Sequence, residues 1–159
     1  MAKPNICWLM TAMSGCGSAG PPLPWEIASA RAHWKSAARF KDDFQTMSVR
    51  AFSEMTYYSA LAWQELSQNS RGTKLLRDLL TFARKLQKTR AKIDYFATSL
   101  PTMLLFDDDL QYREETRALF LQAQAWLGLG HTRKARSLLA TILKRDPSHA
   151  LAADFMRNL

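Results

Sequence analysis

Residues 116–149 read TRALFLQAQAWLGLGHTRKARSLLATILKRDPSH, and this stretch decides the fold. It holds two amphipathic segments separated by a Gly-Leu-Gly sequence that interrupts a helix. The first segment, residues 110–129, is apolar on more than one side, so we expect it to pack between neighbouring helices. The second begins at a cap, Thr132, stops at Pro147, and has one apolar stripe formed by Ala135, Leu138, Leu139 and Ile142. The stretch therefore predicts a helical hairpin.

Helical periodicity extends on both sides of this hairpin. Further helices are predicted over residues 25–40, 53–67, 73 to 93, 99–106 and 149–159. Residues 69–72, Asn-Ser-Arg-Gly, predict a break, with Thr73 as the N-cap of the helix that follows. The three aspartates at 107–109 are expected to cap the next helix, because carboxylates stabilise a helix N-terminus. No segment has a strand pattern, so the sequence predicts an all-α fold.

The first 24 residues allow two interpretations. In the first, residues 5–14 form a short helix, and a Gly- and Pro-rich loop follows it to Pro24. In the second, the short apolar run before Cys16 is a lipoprotein-like signal, and Cys16 carries a lipid anchor. We favour the helix, since the segment after it completes a helical pair. The sequence thus divides into residues 1–24 and a helical domain over residues 25–159, which we expect in the cytoplasm.

Positive charge is concentrated in one segment of the chain. The formal net charge is +8, from 22 Lys and Arg against 14 Asp and Glu. Most of the excess lies between residues 71 and 92, where five cations form a basic stripe along one helix face: Lys74, Arg77, Arg84, Lys85 and Lys88. A stripe of this kind is most often a solvated helix face, and an acidic partner is the alternative. Nucleic acid is not the expected partner, because no recognition motif or exposed aromatic accompanies the stripe.

The sequence contains no arrangement of residues that predicts catalysis. The three histidines are scattered, and Cys7 and Cys16 do not form a metal-binding or redox motif. His131, next to a glycine, is interpreted as a helix-terminus residue. Neighbouring acids such as Glu114 and Glu115 point to different helix faces and cannot act as a hydrolytic pair. We therefore expect no enzyme activity, no cofactor and no metal site.

The residues of the predicted hairpin at 116–149 resemble a tetratricopeptide repeat (TPR), a helix-turn-helix unit of about 34 residues. The match consists of Leu119, Gln122, Ala123, Trp126, Ala135, Leu139 and Pro147 at the repeat's spacing. Ala123 and Ala135 are small where the two helices of such a unit cross. A weaker copy over residues 54–84 contains Ala60, Trp63, Gly72 and Leu76, and a third, broken copy includes Trp34.

The stretch from residue 30 to the end also resembles the C-terminal part of a larger bacterial family. In that family, an uncharacterised β-sandwich module, suspected to be carbohydrate-related, precedes the repeats. The resemblance implies an α-solenoid fragment without catalytic residues. It implies a scaffold that binds a protein or peptide, or alternatively an accessory domain or fragment of a carbohydrate-active multidomain protein.

Repeat proteins of this type bind partners on a concave surface formed by the first helix of each pair. By this resemblance, the partner-binding groove would include Tyr57, Leu61, Gln64, Arg117, Phe120, Gln124 and Leu127. Arg117 would pair with an acidic group of the partner, next to an aromatic contact. The C-terminal helix is expected to leave Leu151, Ala152 and Phe155 partly exposed and to mediate self-association, because two repeats are few for a stable stack.

Overall fold

A computed structural model describes residues 24–39, 43–45, 48–91 and 109–159. Over these ranges the chain forms six helices: α1 (Pro24–Ala38), α2 (Glu54–Glu65), α3 (Asn69–Lys88), α4 (Leu110–Gly128), α5 (Thr132–Arg145) and α6 (Ala150–Arg157). The all-α prediction is confirmed. The proposed N-terminal helix, the Cys16 lipid anchor and the predicted helix at 99–106 lie outside the described residues. No helix in the described part of the chain combines the length and apolar content needed to cross a membrane.

A short β-hairpin, which the sequence analysis does not predict, connects α1 to α2. Strand β1 (Asp43–Gln45) pairs antiparallel with β2 (Ser48–Arg50), and Phe44 stands opposite Val49. Each strand has three residues, too few for an alternating pattern to be recognised in a sequence. The hairpin is a local addition to an otherwise helical stack.

Two helical hairpins, α2–α3 and α4–α5, are built on the same turn. The N–H of Leu66 donates to the Ala62 carbonyl and that of Gln68 to the Trp63 carbonyl. The same two bonds recur 63 positions later, from Leu129 to Ala125 and from His131 to Trp126. The residue between the two donors has positive φ in both turns, 61° at Ser67 and 82° at Gly130. The two hairpins therefore reverse the chain in the same way.

The predicted break at residues 69–72 is wrong, because α3 begins at Asn69 and passes through Gly72. A Cβ atom at residue 72 would lie 2.7 Å from the Ala60 carbonyl oxygen, so the glycine lets α2 and α3 cross closely. Thr73 is inside the helix, and Gln68 is its N-cap without a side-chain hydrogen bond. The hairpin α4–α5 has alanines at the equivalent positions, because Ala123 lies 63 positions after Ala60 and Ala135 lies 63 positions after Gly72. Ala60, Ala123 and Ala135 are all buried.

Side chains cap three of the other helices, α2, α4 and α6. Ser53 and Thr56 form a reciprocal capping box at the start of α2, with the Ser53 Oγ accepting from the Met55 N–H. Asp109 caps α4 by accepting from the Tyr112 N–H, as predicted, while the other two aspartates lie outside the described residues. At α5 the cap prediction is wrong: Thr132 is the first helical residue, and His131 is the N-cap.

The helix α4 occupies the centre of the stack. It packs against α3 on one side and α5 on the other, and nine of its residues between Thr116 and Ala125 are buried. This confirms the prediction of a helix between neighbours. The apolar sides of α2, α3 and α5 complete the core around it.

The C-terminal helix α6 closes the stack by contacting both hairpins. The Phe155 ring lies 5.4 Å from the ring of Tyr57 in α2 and 5.6 Å from the ring of Phe120 in α4. Ala152 and Phe155 are therefore buried, at 0% and 6% exposure, and the prediction that they are partly exposed is wrong. Leu151 does face solvent, at 44% exposure. A small helix thus contributes two side chains to a core that spans the domain.

Candidate functional site

The predicted partner-binding groove is largely closed in the structure. Four of its seven residues are buried: Tyr57, Leu61, Phe120 and Gln124. Gln64, Arg117 and Leu127 remain partly accessible. Tyr57 and Phe120 are buried because the Phe155 ring of α6 packs against both aromatic rings. The aromatic centre of the predicted groove is therefore covered by α6 and is not open to a partner.

Two of these buried residues have structural roles. The Gln124 Nε2 donates to the Glu54 carbonyl oxygen at 3.3 Å, which links α4 to the start of α2. Burial, with a smaller contribution from neighbouring Tyr58, raises the pKa of the Tyr57 hydroxyl to about 12. Tyr57 is therefore an uncharged core residue at physiological pH.

An open cleft of about 580 Å³ lies where the start of α4, the end of α5 and the start of α6 meet. Its lining includes Arg117 and Phe120 from the predicted groove, and it adds residues that the sequence analysis did not assign to a site. The complete lining is Glu54, Tyr112, Arg113, Glu114, Thr116, Arg117, Phe120, Arg145, Asp146, Pro147 and His149. Its volume is in the range of ligand pockets, and we call it the arginine cleft for its three guanidinium groups.

One wall of the arginine cleft is held by a set of contacts between α4 and α5. The Arg145 guanidinium lies over the Tyr112 ring at 4.1 Å, and its Nη2 is 2.9 Å from the Glu115 Oε2. The Tyr112 hydroxyl donates to the Arg145 carbonyl oxygen at 2.8 Å. We call these three residues the α4–α5 clasp. Hydrogen bonds from Gln111 and then Arg145 lower the pKa of the Glu115 carboxyl below its ordinary value.

The opposite wall pairs Arg117 with Glu54. The Arg117 Nε lies 3.4 Å from the Glu54 Oε1, and the two side chains are 16% and 26% exposed. Because α2 contributes Glu54 and α4 contributes Arg117, this ion pair also bridges the two helical hairpins. The predicted recognition cation therefore already faces a carboxylate of its own chain.

The third side of the cleft is formed by the loop between α5 and α6. The His149 Nδ1 accepts the Ala152 N–H at 3.1 Å, and its ring packs 4.9 Å from Phe120. The Asp146 Oδ1 accepts from the Ser148 hydroxyl and N–H, and these bonds lower the pKa of the Asp146 carboxyl. His149 thus acts as a helix cap that covers the buried Phe120 ring.

The basic stripe lies outside the cleft. Lys74, Arg77, Arg84, Lys85 and Lys88 are all exposed on α3, as the sequence pattern predicts. His131, interpreted as a helix-terminus residue, is the N-cap of α5 and packs 5.0 Å from the Trp126 ring. Among the described residues, no group of three or more His, Cys, Asp or Glu side chains is placed to hold a metal ion.

No protein-family model matches this chain, and no solved structure matches it significantly. The resemblance to tetratricopeptide repeats, and to the family with a β-sandwich module, therefore stays a prediction. The helical hairpins themselves are observed, and their packing order is that of a helical stack.

The sequence analysis missed the cleft residues Tyr112 and Arg145 and their clasp partner Glu115. A signal was present, because in an antiparallel helix pair the start of one helix lies beside the end of the other. Tyr112 is in the first turn of α4 and Arg145 is the last residue of α5. The hairpin prediction itself was therefore enough to place these two side chains together.

Proposed function

We propose that this chain is a non-catalytic scaffold of the tetratricopeptide type that binds a protein or peptide segment in the arginine cleft. The support from the fold is the pair of equivalent hairpins, each with a small residue, Gly72 or Ala135, at the same position of its second helix. Stacked helix pairs of this kind commonly present a binding surface made by several units.

The observation that carries the proposal is the composition of the cleft. Arg113, Arg117 and Arg145 line one open space beside Phe120 and His149, together with three carboxylates, Glu54, Glu114 and Asp146. Guanidinium groups bind carboxylates through charge-assisted, often bidentate hydrogen bonds. The partner that fits this site is therefore a segment with an exposed Asp, Glu or C-terminal carboxylate.

The existing ion pair sets the strength of this interaction. Arg117 already faces Glu54 at 3.4 Å, so a carboxylate from a partner would share or replace an interaction that the free protein has. Such an exchange yields a small net gain, as is usual for partly exposed ion pairs. We therefore expect weak, reversible binding of an acidic peptide.

Two carboxylates stabilise the walls of the cleft. Hydrogen bonds lower the pKa of the Glu115 and Asp146 carboxyls and so favour their ionised forms. Glu115 accepts from Arg145, and Asp146 accepts from Ser148, so both act as hydrogen-bond acceptors that hold the surrounding chain in place.

The proposal is tested with an array of short peptides that contain Asp or Glu, each paired with its Asn or Gln counterpart. We expect the wild-type protein to retain acidic peptides and to release their amide counterparts. Arg117→Glu should abolish that difference, because it places a second negative charge beside Glu54. Equal binding of acidic and amide peptides by the wild-type protein would refute the proposal.

The control is the charge-swapped double variant Glu54→Arg with Arg117→Glu. It keeps an ion pair between α2 and α4 but moves the positive charge from α4 to α2, so the fold should be retained. A folded double variant with an altered set of bound peptides supports a charge-reading cleft. A folded double variant with the wild-type set of peptides would exclude Arg117 as the recognition cation.

A further inference from the structure

The positive charge of this protein is carried by the second helix of each hairpin. The helix α3 has six basic side chains against one acidic side chain, Asp78, and α5 has five basic side chains and no acidic one. The first helices differ: α2 has two glutamates and no cation, and α4 has equal numbers of both signs. Charge is therefore segregated by position in the hairpin.

The cations of α3 lie on one face of the helix. Arg71 joins the five residues of the basic stripe, and all six side chains are exposed. At 100° per residue they fall within an arc of about 140°, and they extend over about 26 Å of helix length. The apolar side of the same helix is buried in the core through Leu76, Leu79 and Ala83.

A tryptophan connects this face to α5. The Trp126 ring has the Arg84 guanidinium of α3 at 5.5 Å and the Lys134 ammonium of α5 at 4.2 Å from its centroid. The hairpin α2–α3 has an equivalent contact, in which Arg71 lies 5.0 Å from the Trp63 ring. Trp63 and Arg71 come 63 positions before Trp126 and Lys134, respectively. We call the continuous surface formed by the six α3 cations and Lys134 the basic band.

The side chains of the basic band are oriented by these contacts. A cation over an aromatic ring is attracted by the negative face of the ring, which restricts the motion of a long side chain. Arg71, Arg84 and Lys134 are therefore held in defined positions before any partner arrives. The two tryptophans, which are partly buried, support the cations.

The band has no exposed large apolar side chain, and its two tryptophans, Trp63 and Trp126, are partly buried beneath its cations. The described large apolar side chains that are exposed, Leu110, Tyr112 and Leu151, all lie on α4 and α6. Protein interfaces depend on a buried apolar or aromatic centre, whereas nucleic-acid interfaces depend mainly on phosphate contacts. We propose that the basic band binds the phosphate backbone of a nucleic acid, without reading its sequence.

The first experiment measures binding of labelled single-stranded RNA and duplex DNA, each long enough to span the about 30 Å of α3, across a range of salt concentrations. Release of counterions from about five phosphates predicts slopes of log K against log salt near −4.5 for the duplex and near −3.5 for the single strand. The arm with the tighter binding shows whether the band prefers single-stranded RNA or duplex DNA. Absent binding, or binding that does not respond to salt, would overturn the proposal.

The second experiment uses matched neutral variants. Lys85→Gln and Lys88→Gln remove charges in the last turn of α3, and Lys35→Gln removes a last-turn lysine from α1. Each α3 variant should reduce the magnitude of the salt slope by about 1, because one phosphate contact is lost. Lys35→Gln should leave the slope unchanged. Equal effects of all three variants would show a response to net charge alone and would refute a defined surface.

An acidic protein is the competing partner, and poly-glutamate tests for it. We expect poly-glutamate of matched total charge to compete poorly with nucleic acid for the band. Tight binding of poly-glutamate by the Arg117→Glu variant, with no binding of RNA or DNA, would assign the band to an acidic protein instead. The Arg117→Glu variant is used here because it removes the proposed acidic-peptide binding of the arginine cleft.

Discussion

At Gly72 a single hydrogen atom determines how closely two helices approach. The position faces the backbone of α2, where the Ala60 carbonyl oxygen and the Gln64 Cγ would lie 2.7 Å and 2.9 Å from an added Cβ. Backbone atoms cannot move aside as a flexible side chain can, so an added methyl group must push the helices apart. The glycine therefore contributes to packing by its lack of a side chain.

We predict that Gly72→Ala destabilises the fold by about 1–3 kcal/mol, because the overpacking exceeds the gain of about 1 kcal/mol in helix propensity. The free energy of unfolding from urea titration measures this loss. Gly128→Ala is the matched control. Its Cβ would meet only the terminal carbons of Leu76 and the Tyr57 ring, so it should cost less. A Gly72→Ala protein as stable as the wild type would contradict the close crossing.

The same residue shows a limit of inference from sequence. A glycine after Asn-Ser-Arg resembles a helix break, because glycine and asparagine favour turns. The alternative, a helix that needs no side chain at one crossing point, depends on contact with a partner helix 12 residues earlier in the chain. Ser53 and Asp109 were easier to place, since a helix cap depends on neighbours within three residues.

Among the helices, α4 and α5 are joined at their ends by the α4–α5 clasp. Arg145 stacks on Tyr112 and pairs with Glu115, while the Tyr112 hydroxyl returns a hydrogen bond to the Arg145 backbone. Gln111 donates to the Glu115 Oε1 at 3.0 Å and accepts from the Ala91 N–H at 2.7 Å, which extends the contact beyond the end of α3. The ionised form of Glu115 is favoured by its two donors, Gln111 and Arg145.

We predict an acid-sensitive contribution to stability from Glu115. Its pKa in the folded protein is lowered below the ordinary value of 4.5, so the folded state binds protons less readily than the unfolded state. The stabilisation is complete above pH 4.5 and is lost as the pH falls through the lowered pKa. Urea midpoints measured from pH 7 to about pH 3 should fall more steeply for the wild type than for Glu115→Gln.

A control variant separates this effect from general acid denaturation. Glu65→Gln removes a carboxylate from the exposed end of α2 without touching the clasp. Its urea midpoints should follow the wild-type pH dependence. If Glu115→Gln also follows the wild-type curve, the clasp does not contribute to the acid response.

Helix existence could be predicted from the sequence more reliably than helix partners. The apolar stripe of α5 and the two-sided apolar pattern of α4 predicted where each helix lies and that α4 is central. The hairpin β1–β2 could not be predicted, because three-residue strands form no recognisable pattern. The arginine cleft forms where three helix ends come together in space. The apolar periodicity along a single helix does not predict which helix ends lie next to one another.

For the whole molecule, the decisive element is the short helix α6. With eight residues it would be marginal in isolation, and its position is fixed by two buried side chains, Ala152 and Phe155. The sequence shows that these side chains are apolar, but it does not show which surface they cover. They cover the aromatic face that was predicted to bind a partner, and we therefore propose the arginine cleft as the binding site instead.

Phe155 also determines whether the two hairpins behave as one unit. Its ring contacts Tyr57 in the first hairpin and Phe120 in the second. We predict that Phe155→Ala costs about 3–5 kcal/mol, since truncation of a buried aromatic ring leaves a cavity. Leu151→Ala, on the exposed side of the same helix, is the control and should cost far less.

The most direct test of this closed stack is amide hydrogen exchange of Phe155→Ala, read separately for α2 and α4. We predict that protection decreases in both helices, because the Phe155 ring contacts Tyr57 in α2 and Phe120 in α4. Decreased protection in α4 with unchanged protection in α2 would contradict the account, since α6 would then cover only the second hairpin and leave the Tyr57 face open.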